Sequence, residues 1–109
     1  MGAGGEMSDP MKIRATVAGD TTEVKVLMSH EMETGQRKDA QGKTIPAWFI
    51  QNVTVTWNAK TVLSAQWGTA VAKNPFLAFK FKGGAKGDKI TVTWTDNRAD
   101  NRTDEATIA

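Results

Sequence analysis

Short apolar–polar alternations, turn signals recurring about every ten residues, and the lack of any sustained helical apolar period predict an all-β fold for this chain of 109 residues. An immunoglobulin/fibronectin-like antiparallel β-sandwich of about seven strands is the architecture that buries one face of each such strand. The sequence has no cysteine, so no disulfide joins the sheets and packing alone must hold them together.

The strands follow in order. Ile13, Ala15 and Val17 alternate with Lys12, Arg14 and Thr16, and Gly19-Asp20 turns the chain. Val24, Val26 and Met28 alternate with Glu23, Lys25 and Leu27, completing a first hairpin. Residues 29–44 are polar and without period. They are longer than a usual hairpin connection, and such loops on rigid sandwiches commonly carry function. Next, Phe49, Gln51, Val53, Val55 and Trp57 are expected on one face of a strand, with Trp48, Ile50, Asn52, Thr54 and Thr56 on the other. Asn58-Ala59-Lys60 turns into a return strand over residues 61–66, and Trp67-Gly68-Thr69 opens a loop that Asn74-Pro75 closes. In residues 76–82, Leu77, Phe79 and Phe81 share a face. Gly83 to Asp88 is a turn, and Ile90, Val92 and Trp94 alternate inward. A polar turn is expected over residues 96–102, and a last strand over 104–108 with Ala106 and Ile108 inward. Residues 1–10 read as a flexible tail and 11–109 as a single domain.

Composition excludes several classes of chemistry. Without cysteine there is no thiolate nucleophile, iron–sulfur cluster or cysteine-bound zinc, and His30 is the only histidine. His30 lies near Glu31 and Glu33, but not at the two-histidine spacing of zinc enzymes, so a hydrogen-bonded or exposed loop histidine is expected. Ser29 beside it lies on no strand–turn–helix elbow. Gly83-Gly84-Ala85-Lys86-Gly87 lacks the Lys-Ser/Thr ending of a phosphate loop and reads as a hairpin connection. No cofactor is expected.

The net charge is +2, with 14 basic and 12 acidic residues interspersed, so the sequence shows no long cationic stripe and nucleic acid is not an expected partner. No apolar run approaches a membrane span, and the first ten residues have no signal-peptide pattern. Arg37-Lys38-Asp39 in the long loop can grip an acidic partner, anchor the loop, or simply be solvated. Of the four tryptophans, Trp94 belongs with the core and Trp67 sits at a strand end, where a half-exposed indole can anchor a partner.

The run from Met28 through Ser29-His30-Glu31-Met32-Glu33-Thr34-Gly35-Gln36-Arg37-Lys38 to Asp39 strongly resembles the loop after the first hairpin in the SoxZ family. The likeness continues through Ile45-Pro46-Ala47, Ile50-Gln51, Lys60-Thr61-Val62-Leu63, Trp67-Gly68, Lys73-Asn74-Pro75-Phe76-Leu77 and Phe79-Lys80-Phe81-Lys82-Gly83. It ends with Gly87-Asp88-Lys89-Ile90, Trp94-Thr95-Asp96-Asn97 and Asp104-Glu105-Ala106-Thr107, so that it spans residues 10–108. Asn58-Ala59 stands where the family pattern has Asn-Gly, which leaves the turn type open.

The resemblance implies a non-catalytic subunit of the SoxYZ sulfur carrier of bacterial thiosulfate oxidation. It would pair as a heterodimer with SoxY, which bears a cysteine on a C-terminal arm, and would help present covalently bound sulfur intermediates to Sox enzymes that dock transiently. It also implies a periplasmic location, with export alongside the signal-bearing partner. The partner-binding candidates are Met28, Met32, Arg37, Lys38 and Asp39 in the long loop, and Lys73, Asn74, Pro75 and Phe76 in the second. Two other readings remain: a free-standing immunoglobulin-like ligand-binding or adhesion module in the periplasm, and a metalloenzyme of the superoxide reductase kind. That enzyme's iron site resembles four histidines and a cysteine, which this chain cannot supply.

Overall fold

A computed structural model describes residues 9–109, so most of the expected tail over 1–10 lies outside the described residues. The described chain is all β, with seven strands. These are β1 (Lys12–Ala18), β2 (Thr21–Leu27), β3 (Ile50–Trp57), β4 (Lys60–Gln66), β5 (Phe76–Lys82), β6 (Lys89–Asp96) and β7 (Asn101–Thr107). One sheet has the order β1-β2-β5 and the other β4-β3-β6-β7, every pairing antiparallel. This three-plus-four sandwich is the architecture that the alternation predicts. The molecule spans 55 × 31 × 18 Å, its shortest dimension being that of two stacked sheets.

The core forms where the inner faces meet. Ala15, Val24 and Val26 from the first sheet pack against Ile50, Val53, Val55, Ile90, Val92 and Trp94 from the second, all at most 2% exposed. Leu77, Phe79 and Phe81 extend this core along β5, as their shared face requires. β7 begins at Asn101, earlier than expected, because Thr95 and Asn101 already pair across a turn confined to residues 97–100.

One expectation fails in an instructive way. Ile50 is fully buried on the same face as Val53 and Val55, not opposite them. The register between β3 and β6 shifts between Ile50 and Asn52, so one extra residue is inserted and the side-chain phase flips there. Gln51 and Asn52 are both exposed as a result. Phe49 and Trp48, expected to begin this strand, precede it. Trp48 instead bridges to Glu33.

The registers also decide which loops meet. Leu27 is opposite Phe76, Ile50 opposite Asp96, Asn52 opposite Gln66 and Thr95 opposite Asn101. The connections 28–49, 67–75 and 97–100 therefore all emerge at one end of the sandwich. The turns at 19–20, 58–59 and 83–88 occupy the other end.

Candidate functional site

At the first end the long loop is ordered by its own hydrogen bonds. Glu33 and Trp48 exchange two backbone bonds, Ile45 N–H donates to Arg37 O, and Asp39 N–H donates to Lys43 O. With a second bridge between Lys38 and Thr44, residues 33–48 form an irregular two-stranded arm. Asp39 Oδ1 accepts the N–H groups of Gln41 and Lys43 at 2.9 and 3.0 Å, closing the tip.

The base of the arm is held by Asp96, whose side chain is fully buried. Its Oδ2 accepts the Trp48 indole N–H at 2.7 Å and His30 Nε2–H at 3.0 Å. Its Oδ1 accepts Arg98 N–H and Asp100 N–H, both at 2.9 Å. Four donors around one buried carboxylate supply the compensation that its desolvation demands. Asn97 completes the clamp, donating to Ala47 O and accepting from Phe49 N–H, each at 2.8 Å. Arg98 stacks over the Trp48 ring, 4.3 Å from its centroid.

His30 is locked in this network. Its Nδ1 accepts Met32 N–H at 3.0 Å, which leaves the ring proton on Nε2, facing Asp96. The ring packs 4.9 Å from Trp48 and 5.2 Å from Trp94, with its side chain 1% exposed. Both nitrogens are engaged, and neither is free to bind a metal or accept a substrate proton. Among the described residues no three His, Asp or Glu side chains converge as a metal site would require. The expected hydrogen-bonded loop histidine is present, buried rather than exposed.

The second loop is tied to the first. His30 and Asn74 exchange bonds, His30 N–H to Asn74 Oδ1 at 3.0 Å and Asn74 N–H to His30 O at 2.9 Å. Met28 N–H donates to Pro75 O, and Lys73 Nζ lies 3.5 Å from Glu31. The two stretches singled out from the sequence are thus one structural unit. Among the described residues, three of the five non-glycine residues with positive φ fall in these end loops: Met32 at 52°, Asn74 at 52° and Ala99 at 66°. Residues held in such conformations cluster where surrounding structure over-determines a functional shape.

The partner-binding candidates divide into two groups. Met28 and Met32 are 1% and 5% exposed and belong to the core, and Met32 Sδ accepts Ile50 N–H. Pro75 is buried as well. As placed, these three present almost no surface, and for Met28 the alternation with Val24 and Val26 already signals it. Asp39 and Asn74 are exposed but spend their side chains holding the loops. Arg37, Lys38, Lys73 and Phe76 point outward. Arg37 makes a two-pronged bond to Glu33, and this hydrogen bond holds the Glu33 carboxyl below its ordinary range. Trp67 is half-buried against the core. Sequence reasoning missed Asp96, Asn97 and Arg98 as the organisers of this end. Their only signal was the Trp94-Thr95-Asp96-Asn97 run within the family resemblance.

Fold and loop geometry together define a cysteine-free immunoglobulin-like sandwich that presents a hydrogen-bonded loop cluster at one end. The chain belongs to the SoxZ family: the family described as sulphur oxidation protein SoxZ matches residues 11–107. No curated protein matches it. Among solved structures it is similar to a superoxide reductase (neelaredoxin) from Ignicoccus hospitalis, with TM-score 0.63 and 14% identity over 93% of this chain and 80% of that one. It is also similar to a hypothetical protein from Pyrococcus horikoshii OT3, with TM-score 0.64 and 15% identity over 94% and 89%. A variant neelaredoxin from Archaeoglobus fulgidus gives TM-score 0.58 and 20% identity over 94% and 90%. At these identities the likeness shows a shared sandwich and nothing of activity.

Proposed function

We propose that this SoxZ-family chain is a non-catalytic subunit of a periplasmic sulfur carrier. It pairs with a cysteine-bearing SoxY subunit and helps present that subunit's bound sulfur to Sox enzymes. The observation that carries this reading is the loop cluster itself. The segments bearing the family pattern converge, and their only histidine is consumed by structure, while Arg37, Lys38, Lys73 and Phe76 remain available to a partner. The lack of cysteine fits a carrier, because a thiolate near a partner's sulfur intermediate would attack it by exchange and discharge it. A carrier therefore works best with one reactive sulfur and surroundings that do not compete with it.

Co-expression with a SoxY subunit followed by native mass spectrometry tests the pairing, and a one-to-one complex is expected. Lys38→Cys and Lys73→Cys probe the loops, since both side chains are exposed, whereas Asn74 is needed to hold His30. A mixed disulfide between either variant and the partner's arm supports the assignment. Isolation of the chain only as a monomer beside an expressed SoxY would overturn it and favour a free-standing module.

A further inference from the structure

Although the sequence has no cationic stripe, the sheet assembles a cationic face. The outer surface of β1-β2-β5 takes alternate residues from three strands, and the registers set them in rows. Lys12, Leu27 and Phe76 form one row; Arg14, Lys25 and Ala78 the next; then Thr16, Glu23 and Lys80; then Ala18, Thr21 and Lys82. Five of the 14 basic residues thus share this face with one of the 12 acidic ones. Glu23 reaches only Lys25, at 3.9 Å, and that pair is half-exposed. Among the described residues no carboxylate lies within ion-pair distance of Lys12, Arg14, Lys80 or Lys82.

One end of the face is apolar. Leu27 and Phe76, cross-strand neighbours, are the exposed large hydrophobics of the described chain, at 41% and 62%. They line a shallow groove with Lys12, Ile13, Arg14 and Lys25. The opposite sheet differs in kind. Its outer rows are mostly neutral, with Asn52, Thr54, Ser64, Gln66, Thr91, Thr93 and Thr103 among them, and its Lys89 is paired with Glu105 at 3.3 Å.

We infer that the outer face of β1-β2-β5 is a docking surface for an acidic protein, seated by an apolar side chain that enters the Leu27–Phe76 groove. Charge complementarity identifies the partner's sign: an unbalanced cluster of cations in a nearly neutral chain attracts a surface rich in Asp and Glu. The apolar pair identifies a protein rather than a polyanion, because an apolar anchor within a charged surround is how protein interfaces are built. Size sets the lifetime. Three strands of seven residues cover roughly 14 by 24 Å. That footprint falls well short of the about 800 Å² each partner buries in a stable complex, so the encounter is transient and steered by charge. This surface meets the loop cluster only at Phe76, and its assignment does not rest on pairing with SoxY.

The test is a titration of the isotope-labelled full chain, followed by amide shifts, with a synthetic Glu-rich peptide carrying one central Leu. A single-stranded oligonucleotide and phosphatidylglycerol vesicles serve as competing probes. Peptide shifts confined to β1, β2 and β5, with affinity falling at least about tenfold between about 20 and about 200 mM salt, are expected. The double variant Arg14→Glu/Lys25→Glu should weaken binding by more than about tenfold, and Phe76→Ser several-fold. Glu23→Lys should tighten it, a gain that misfolding cannot imitate. Absence of binding, shifts centred elsewhere, tighter binding of the oligonucleotide or vesicles to this face, or indifference to the double variant would each overturn the assignment.

Discussion

Ala59 occupies a position that an L-residue adopts at a cost. Trp57 pairs with Lys60, so Asn58-Ala59 is a two-residue hairpin loop, and both residues have positive φ, at 46° and 71°. That is the demand of a type I′ turn, in which Asn tolerates the left-handed region and glycine is the usual second residue. Asn58 is further fixed by its Oδ1, which accepts Lys89 N–H at 3.0 Å. The alanine thus changes the strain of the turn and not its type. Ala59→Gly is expected to stabilise the protein by about 1 kcal/mol, raising Tm by about 5 °C in thermal unfolding. An unchanged or lower Tm would contradict the turn assignment. Asn58-Ala59 announced a turn in the sequence. Its handedness was not legible, because only the pairing of the flanking strands imposes it.

Strand identity was legible wherever alternation persists, as in Ile90, Val92 and Trp94, and failed where a bulge interrupts it. The phase flip at Ile50 depends on how β3 meets β6 and on the arm that precedes it, neither of which lies within the strand's own residues. The arm over residues 33–48 was unreadable for a related reason: its two bridges and Asp39-centred tip need no apolar period. The β5–β6 connection illustrates how such loops are fixed by single carboxylates. Asp88 Oδ2 accepts the Trp57 indole N–H at 2.8 Å and Ala85 N–H at 3.0 Å. The bond from Trp57 is the main cause that lowers its pKa from the ordinary 3.8, against an opposing contribution from burial. A carboxyl whose folded pKa is depressed adds stability above its unfolded value and loses it as pH falls through the folded value. Asp88→Asn should therefore flatten the acid limb of the stability–pH curve below about pH 4, as read by denaturant unfolding at stepped pH. A limb as steep as that of the parent would show that Asp88 does not supply this dependence.

The whole sandwich is held without a covalent link, and its far end shows how. Ile108, 2% exposed, closes the core beyond β7, while Ala109 exchanges two backbone bonds with β1, to Ala15 O and from Val17 N–H. Gly84, at φ +91°, lies so close to Thr22 that a side chain there would collide with it and press on Ile108. Ile108→Ala is expected to cost about 3 kcal/mol in urea unfolding, because the cavity opens where two sheets and a tight loop meet and cannot readily collapse. A loss below about 1 kcal/mol would mean that the sheets close there by other contacts. The sandwich was legible from patterning, but the basic face was not. Its five cations come from one hairpin and a strand some fifty residues further on, with apolar residues interleaved, and only the registers of β1, β2 and β5 gather them. The fully bonded Asp96 carries a consequence for kinetics. With its end loops already shaped before any encounter, the molecule would give up little configurational freedom on an association made through them, so variation among such complexes should appear in how long they last.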